Sequence, residues 1–358
     1  MSEIRPSGTR RHDLPTLSIV IPCYNAEKTL RRCIDSIINQ TSGHIQVVCV
    51  NDGSTDGTLS IIKSYVRDRP DTITCIDIPN GGSAKARMMG LGAATGTYVG
   101  FLDSDDYLDP SFAEKMLAKA DETKADMVVC GYRRINAETG EELSQELCSK
   151  RPSFKVSDDP GLTVTVNSAL WNKIYRTSTL SNAATIPSPP PIAEDFLVQT
   201  LFFLEPEGSV VFVAEPLVNY LVHPHSLMTS VSESDVQPTY RAMADVRQIL
   251  AERHATSDFI EAFDTSAFLH LGISLNHALS DDDSVNLPET IAACTEFLDS
   301  TCPLWRHSRY LSLRYASRHG AAYQRLRLAW LAYKAGLMVP FLKTYRLAIT
   351  KLGITIKW

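Results

Sequence analysis

Three short polar segments in the first third of the chain carry residue types that could do chemistry. They comprise residues 22–27 (PCYNAE), 51–57 (NDGSTDG) and 103–106 (DSDD). The last places three carboxylates within four residues, and like charges so close are costly unless a cation or hydrogen-bond donors share them. Carboxylate oxygens suit Mg²⁺ or Mn²⁺, which complete their shell with phosphate oxygens and water. The DSDD segment therefore predicts a divalent-cation site. It does not fit a calcium EF-hand, because Leu108 stands where that motif requires Gly.

The elements that must position these segments alternate regularly over residues 17–130. Short, apolar, β-branched runs typical of buried strands are followed by stretches with helical periodicity. The predicted strands are 17–21, 45–50, 73–78, 97–102 and 126–130, and the predicted helices are 30–38, 59–66, 83–94 and 110–123. This order predicts β-α-β units and a largely parallel sheet. Because ligands bind at the carboxyl ends of such strands, the three segments should converge there, although Asp52 taken alone also fits a simple Asp-Gly turn.

Beyond residue 130 the pattern is less regular. Residues 133–165 are polar and predict an irregular connection, whereas strand and helix patterns return over 170–222. From about residue 236 to 299 the pattern is helical. A chain of 358 residues is long enough for about two domains. We expect a flexible N-terminus (1–15), an α/β domain (16–232), a helical extension (233–300) and a basic amphipathic helical tail (301–358).

Charge is distributed unevenly along the chain. The formal net charge of −6 argues against a general nucleic-acid-binding protein. Residues 301–358, however, hold 11 Lys and Arg and no acidic residue. Within this tail Leu326, Trp330, Tyr333 and Leu337 form a narrow apolar stripe at helical spacing. A basic amphipathic helix of this kind predicts binding to an anionic membrane surface. The alternative is a helix packed on the body of the protein with its basic face in water.

The sequence also predicts a compartment. The first 15 residues lack the apolar core of a signal peptide. The longest apolar stretch, residues 328–342, is interrupted by Lys334 and Pro340 and is too short to span a bilayer. The eight cysteines show no Cys-x-x-Cys spacing, which disfavours a zinc site and fits reduced, buried thiols. We expect a cytoplasmic protein that is peripheral at the membrane through its tail, with its oligomeric state left open.

The ordered motifs resemble the family 2 glycosyltransferases of GT-A fold, and the resemblance covers roughly residues 16–230. Seven segments occur in the family's order with plausible gaps: SIVIPCYNAEKTL, VVCVNDGSTDGT, NGGSAKARMMG, YVGFLDSDDYLDP, ALWNKIYR, IAEDFLVQ and NYLVHPHSL. The resemblance implies an α/β fold of GT-A type, Rossmann-like with a mostly parallel central sheet, followed here by a C-terminal α-helical extension. It also implies inverting transfer of a hexosyl or N-acetylhexosaminyl group, of the kind used in bacterial surface-polysaccharide assembly. A UDP-sugar is the expected donor, Mn²⁺ or Mg²⁺ the expected cofactor, and a glycan or lipid-linked molecule the expected acceptor.

The resemblance implies roles for individual residues. Those implied to bind the nucleotide-sugar are Pro22, Tyr24, Asp52, Asn80, Arg87 and Asp103. Asp105, which closes the Asp-x-Asp motif, is implied to bind the metal, with His223 as a second candidate ligand. Asp106 is expected either to support these ligands without binding the metal itself or to lie at the start of a helix. A structural histidine is the alternative for His223, and Leu221 replaces the Arg usual in that stretch. For Arg87 the alternative is a surface position on a helix.

Asp195 matches the family's Glu-Asp pair and is implied to be the general base. It also opens an apolar helix after a proline-rich segment, so the local alternative is an N-cap. Trp171, Asn172 and Lys173 match a family segment near the acceptor, although a core position is the simpler interpretation of Trp171.

These roles predict a single in-line displacement. Departure of a nucleoside diphosphate develops negative charge on its β-phosphate, which a cation at Asp105 would stabilise. The acceptor hydroxyl is a weak nucleophile and needs a base such as Asp195. Attack opposite the leaving group inverts the anomeric carbon.

The sequences of the same loops argue against other functions. A dehydrogenase is excluded because the first loop, PCYNAE, lacks G-x-G-x-x-G. A sugar nucleotidyltransferase remains an alternative, although its expected glycine-rich loop is missing. A catalytically inactive, transferase-like membrane or assembly factor is the other alternative, and it is opposed by the intact Asp52, Asp103, Asp105 and Asp195.

Overall fold

The computed structural model describes residues 16–41, 44–183, 192–204, 208–223, 231–280 and 284–352, with the single positions 186, 190 and 282. The N-terminus predicted as flexible (1–15), the motif residues that follow His223 and the last six residues of the tail lie outside this set.

The described residues form ten strands and thirteen α-helices. The strands are β1 (Leu17–Cys23), β2 (Ile45–Asp52), β3 (Ile73–Ile78), β4 (Tyr98–Phe101), β5 (Tyr107–Leu108), β6 (Met127–Asn136), β7 (Glu142–Glu146), β8 (Phe154–Lys155), β9 (Lys173–Arg176) and β10 (Ser209–Val222). The helices are α1 (Leu30–Ile38), α2 (Thr58–Asp68), α3 (Ser83–Ala93), α4 (Phe112–Thr123), α5 (Thr177–Ala183), α6 (Glu194–Phe202), α7 (Val236–Glu252), α8 (Ser257–Ala267), α9 (Asn276–Leu279), α10 (Leu287–Thr301), α11 (Leu313–His319), α12 (Ala321–Lys334) and α13 (Met338–Leu352). A π-helical stretch, Phe268–Leu275, joins α8 to α9.

All ten strands belong to one mixed sheet. Its order is β3-β2-β1-β4-β9-β6-β10-β5, with β7 beside β6 and β8 beside β10. The first four strands in this order are parallel to one another, and β10 is parallel to β6. Strand β9 is antiparallel to both of its neighbours, β4 and β6. The predicted α/β architecture, with a mostly parallel central sheet and a C-terminal helical region, is confirmed.

Helices cover both faces of the sheet, and β1 shows why its sequence is apolar throughout. Ile19 and Ile21 pack with α1, α2 and α4 on one face. Val20, which lies between them in the sequence, packs with α3 and α6 on the other. Successive side chains of a strand point to opposite faces, so a strand buried on both faces must be apolar at every position. The helices α7 to α13 extend the core on the α3 side.

The predicted irregular connection over 133–165 is wrong in its first part. Strand β6 continues to Asn136, and β7 pairs with it in antiparallel fashion. The sequence of β7 is ELSQE, whose side chains are mostly outside the core. Such a strand is stabilised by the hydrogen bonds of its backbone to β6, so no alternation of apolar side chains reveals it.

Strand β10 is one continuous, bulged element. The sequence predicts two runs, 210–213 and 217–222, separated by a short break. In the structure the register against β6 shifts on both sides of Pro216. Proline cannot donate to a sheet and is tolerated at bulges, so the break in the pattern is a bulge within a single strand.

The tail packs on the protein. Leu326 of the predicted membrane-facing stripe is 1% exposed, and Trp330 and Tyr333 pack against the same core. The Tyr333 hydroxyl donates to the Gly272 carbonyl oxygen at 2.7 Å. Three residues of the stripe are therefore covered by the helical region and do not face outward, whereas the fourth, Leu337, is 55% exposed. Among the described residues, no helix combines the length and the apolar character needed to cross a bilayer.

Candidate functional site

The loops that follow β1 and β2 are fastened to each other. The two strands are parallel neighbours whose ends are level, with Cys23 opposite Asn51. The Asn25 side-chain oxygen accepts a hydrogen bond from the Thr55 N–H at 2.9 Å, and a Glu27 carboxylate oxygen accepts one from the Gly57 N–H at 2.8 Å. These bonds give the predicted nucleotide pocket a fixed wall.

Asp52 holds the segment that precedes α3. Its two carboxylate oxygens accept hydrogen bonds from the backbone N–H groups of Gly81 and Gly82, at 2.8 and 2.9 Å. The Asn80 side chain donates to the Asp52 carbonyl oxygen at 3.0 Å. Gly53 has a φ of 66°, and a Cβ added there would lie 2.6 Å from the Asn80 nitrogen, so only glycine allows this approach. Asp52 and Asn80 are thus brought together as predicted, and Asp52 is more than a local turn residue.

Pro22 and Tyr24 lie at the C-terminal end of β1, at the predicted nucleotide pocket. Pro22 is half-buried, one residue before the end of β1. Tyr24 directly follows the strand, and 54% of its surface is exposed. An exposed aromatic ring is a surface on which a nucleotide base can stack. The structure therefore leaves the Tyr24 ring accessible for such stacking.

Arg87 is the centre of the site. Its Nη2 donates to Asp103 Oδ1 at 2.8 Å, and its Nη1 donates to Glu194 Oε1 and Asp195 Oδ1, each at 3.2 Å. Ser83, one helical turn earlier on α3, donates to the other Glu194 oxygen at 3.1 Å. Arg87 is buried, so the alternative of a surface position is excluded. A guanidinium that binds three carboxylates fixes α6 against the loop after β4.

Asp195 lies in the first turn of α6 but does not cap it. The helix begins at Glu194, its N-cap is Ala193, and no side chain caps it. The carboxylate of Asp195 binds Arg87 instead. Burial raises the pKa of Asp195, the Arg87 charge opposes this, and the nearby Asp103 carboxylate adds to it. The N-cap alternative is therefore excluded, and Asp195 is a half-buried carboxylate with an enhanced affinity for a proton.

The three aspartates of residues 103–106 have three different environments. Asp103 binds Arg87. Asp105 Oδ2 is hydrogen-bonded to His223 Nε2 at 3.0 Å. Asp106 is 1% exposed, and its Oδ1 accepts a hydrogen bond from the Leu221 N–H at 2.7 Å. This last bond ties the acidic segment to the end of β10, and it explains why His223, two residues further on, meets Asp105.

The acidic segment and His223 offer few ligands for a divalent cation. Asp106 Oδ2 is buried and has no hydrogen-bond partner among the described residues. Burial and the neighbouring Asp103 carboxylate raise the pKa of Asp105. Within the described part of the chain, no group of three or more His, Cys, Asp or Glu side chains has the geometry of a metal site. Asp105 and His223 alone supply two ligands, a set that fits Mg²⁺ or Mn²⁺ only where phosphate oxygens and water complete the shell.

Glu194 was missed by the sequence reasoning, and Lys173, which the resemblance places near the acceptor, has an environment that the sequence did not show. Glu194 shares the Arg87 guanidinium with Asp195, and its acidic pairing with Asp195 in the sequence is the signal that could have shown it. Lys173 is fully buried on β9, where its amine donates to the Ala169 carbonyl oxygen and, at 2.8 Å, to Asn172 Oδ1. Burial lowers the pKa of Lys173 to about 7, and Asp195 opposes this shift. A lysine inside an apolar strand is the signal for such a group.

Trp171 has the core position that the sequence favours. It is 8% exposed and stacks on Tyr220, with ring centroids 5.0 Å apart. Tyr132 contacts it edge-on at 4.7 Å. Burial, and then the carboxylates of the acidic segment, raise the pKa of Tyr220, so this aromatic cluster lies near that segment.

The chain is similar in sequence to known glycosyltransferases. The family model described as Glycosyl transferase family 2 matches residues 18–180, which is less than half of the chain. EpsH of Bacillus subtilis (strain 168) is 28% identical over 276 residues, or 74% of this chain and 77% of EpsH. EpsJ of the same organism is 31% identical over 223 residues, or 60% of this chain and 63% of EpsJ. Both carry "glycosyltransferase" in their names, EpsJ as an uncharacterized one.

A solved structure shares the fold over nearly the whole chain. Residues 1–349 of S. aureus TarS superpose with a TM-score of 0.62 at 21% identity, covering 90% of this chain and 92% of that one. The likeness includes the C-terminal helical region as well as the sheet. Residues 18–180 are therefore similar to the glycosyl transferase family 2 model, and the chain has an α/β fold of GT-A type that continues into the C-terminal helices.

Proposed function

We propose that the protein transfers a sugar from a nucleoside-diphosphate sugar to a hydroxyl group of a glycan or lipid-linked acceptor, with inversion at the anomeric carbon. One observation carries the proposal above all others. Arg87 joins Asp195, the candidate base, to Asp103 of the acidic segment. Residues far apart in the sequence, and implied to serve the donor and the acceptor, thus lie in one site.

The donor we propose is a UDP-sugar carrying a hexosyl or N-acetylhexosaminyl group. The TarS structures that share the fold include complexes with UDP and with UDP-GlcNAc, at TM-scores of 0.58 and 0.55. In this chain the nucleoside would lie between Tyr24 and Asp52, where the loops after β1 and β2 are fastened together. Pro22 and Asn80 would complete the pocket.

Asp195 would take the proton of the acceptor hydroxyl as the new bond forms. A carboxylate whose pKa is raised by burial is a stronger base than an exposed aspartate, provided that it stays ionised at the working pH. Arg87 favours the ionised form and holds the side chain by a hydrogen bond at 3.2 Å. Opposed base and leaving group give a single displacement, because no second nucleophile is needed.

The departing diphosphate would lie at the acidic segment. We propose that Asp105 and His223 hold Mn²⁺ or Mg²⁺ there, which when bound supplies Lewis-acid stabilisation of the charge on the leaving phosphate. Asp106 keeps the two ligands together through its bond to the Leu221 N–H. Asp103, held by Arg87, would face the ribose.

The alternatives find less support. An inactive, transferase-like factor would have no need of a half-buried carboxylate aligned by a buried arginine. No contact of the described residues favours a sugar nucleotidyltransferase.

The experiment that tests the function is a screen of nucleotide-sugars for release of nucleoside diphosphate, with Mn²⁺, with Mg²⁺ and after chelation. We expect release from one UDP-sugar, dependent on the metal and increased by acceptor. Asp195→Asn should keep donor affinity and lose transfer by on the order of 10²–10⁴-fold, since it removes only the base. Asp105→Ala should lose both donor affinity and transfer.

Asp121→Asn is a suitable control, because Asp121 is exposed on α4, outside the site. Full turnover by Asp195→Asn would remove that residue from the mechanism. If nucleoside diphosphate is released equally fast after chelation, the metal has no role in the mechanism.

We also propose that the protein acts at the cytoplasmic face of a membrane, in surface-polysaccharide assembly. The support is the charge of residues 301–358, which carry 11 basic and no acidic side chains. Anionic lipids attract such a segment.

A further inference from the structure

Exposed leucines are concentrated at the C-terminal end of the structure. Nine large hydrophobic side chains are exposed among the described residues. Six of them lie between residues 304 and 347: Leu304, Leu313, Leu328, Leu331, Leu337 and Leu347. Single exposed leucines are ordinary, but this share is far above that of the rest of the chain. We call these six leucines, with the cations among them, the C-terminal surface.

The cations of this surface are exposed too. Arg314 and Arg318 on α11, Lys334 at the end of α12 and Lys343 on α13 all lie on the outside. Arg306 and Arg309 of the same segment pair with Asp299 and Asp258, but among the described residues no salt bridge involves these four cations. Exposed apolar and cationic side chains are thus interspersed along residues 304–347.

On helix α12 the exposed leucines lie on a different face from the buried Leu326. Leu326 is 1% exposed, while Leu328 is 59% and Leu331 41% exposed. Leu328 and Leu331 are three residues apart and therefore adjacent on one helix face. Beside them the Lys334 amine lies 4.3 Å from the Trp330 ring centre, so a cation and an aromatic ring border the leucines.

We propose that the C-terminal surface docks on an anionic lipid bilayer, with its leucines at the acyl boundary and its cations among the headgroups. Leucine and aromatic side chains beside Lys and Arg are the composition that binds such an interface. Charge complementarity identifies the occupant, because anionic headgroups complement these cations, whereas a symmetric dimer through the same surface would bring cations against cations. The inference deepens the membrane partner proposed above, and it does not depend on the transfer chemistry.

The test is co-sedimentation of the full chain with vesicles of equal parts phosphatidylcholine and phosphatidylglycerol, and with vesicles of phosphatidylcholine alone. We expect binding to the first and little to the second. The double variant Leu328→Gln/Leu331→Gln should weaken binding by about tenfold or more. The double variant Arg314→Glu/Arg318→Glu should do the same.

Matched controls come from exposed residues outside this surface. Leu143→Gln changes an exposed leucine of β7, and Lys150→Glu an exposed lysine; both should bind like the unchanged protein. Unchanged thermal unfolding would show that the variants fold. Failure of the unchanged protein to sediment, or equal binding by variants and controls, would overturn the proposal. A dimer in solution that the leucine variant dissociates, without vesicle binding, would also overturn it. Diphosphate release reports the catalytic site separately.

Discussion

At the scale of single residues, the contacts of Lys173 show how the proposed base is supported. Its amine donates to the Ala169 carbonyl oxygen. The N–H of the same peptide unit, that of Leu170, hydrogen-bonds Asp195 and lowers the pKa of this carboxyl, as the Lys173 charge also does. Arg87 acts in the same direction, and Asp103 in the opposite one. Lys173 is therefore a positioning residue for Asp195.

Lys173→Met should raise the pKa of Asp195, because one favourable charge and one held peptide are lost. The acid limb of the kcat–pH profile should then move to higher pH, by up to about one unit, with little change in KM for the donor. The measurement is a kcat–pH profile of diphosphate release in the presence of acceptor. Lys63→Met, which changes an exposed lysine on α2, is the control. A lower kcat with an unmoved limb would mean that Lys173 serves packing alone.

The motifs made most of the site predictable at this scale. Asp52, Asn80, Arg87, Asp103, Asp105, Asp195 and His223 all lie at the converging loops or face them. The sharing of Arg87 by three carboxylates was not predictable, since it depends on how α6 lies against α3.

At the scale of elements, Asp264 joins three helical segments. It lies on α8, accepts a hydrogen bond from Arg247 Nε of α7 at 2.8 Å, and accepts another from the Leu304 N–H, just after α10, at 3.0 Å. The carboxylate is fully buried, and burial raises its pKa to about 6. The folded chain therefore holds a proton that the unfolded chain releases near pH 4.

This shift predicts a pH dependence of stability. The contribution of Asp264 to the free energy of unfolding is fully present below about pH 4 and is lost as the pH rises through about 6. A shift of about two units corresponds to on the order of 3 kcal/mol. Asp264→Asn should flatten this part of the profile, measured by urea unfolding at several pH values, whereas the exposed Asp121→Asn should not. Parallel profiles for Asp264→Asn and the unchanged protein would contradict the prediction.

Element prediction succeeded where burial imposed a pattern. Strands β1 to β4 and helices α1 to α4 are apolar on the faces that they bury, so the sequence shows them. Strand β7 has polar side chains, and β10 is interrupted by Pro216; their backbone pairing leaves no such pattern.

At the scale of the whole molecule, the C-terminal helices are part of the core. Tyr323 and Leu326 of α12 and Leu342 of α13 are buried in the same cluster as Val20 of β1 and Phe196 of α6. Removing residues 301–358 would expose that cluster. A truncated chain is therefore expected to lose stability as well as any contact with a membrane.

Two leucines on one helix provide a sharper test. Leu326→Ala should lower the free energy of unfolding by about 2–5 kcal/mol, because a buried side chain leaves a cavity. Leu328→Ala, at a position that is 59% exposed, should change it by less than about 0.5 kcal/mol. Urea unfolding monitored by tryptophan fluorescence measures both. Equal effects would show that α12 does not pack as described.

The sequence by itself determined the alternation of strands and helices, the loops that carry the chemistry and the excess of positive charge at the C-terminal end. Each of these is written in contiguous residues, where hydrophobic period and residue type are sufficient. Only the tertiary structure decided that Arg87 binds three carboxylates, that His223 meets Asp105 and that Leu326 faces the core while Leu328 faces outward. A helical period shows that one face of a helix is buried, but what covers that face depends on segments distant in the chain.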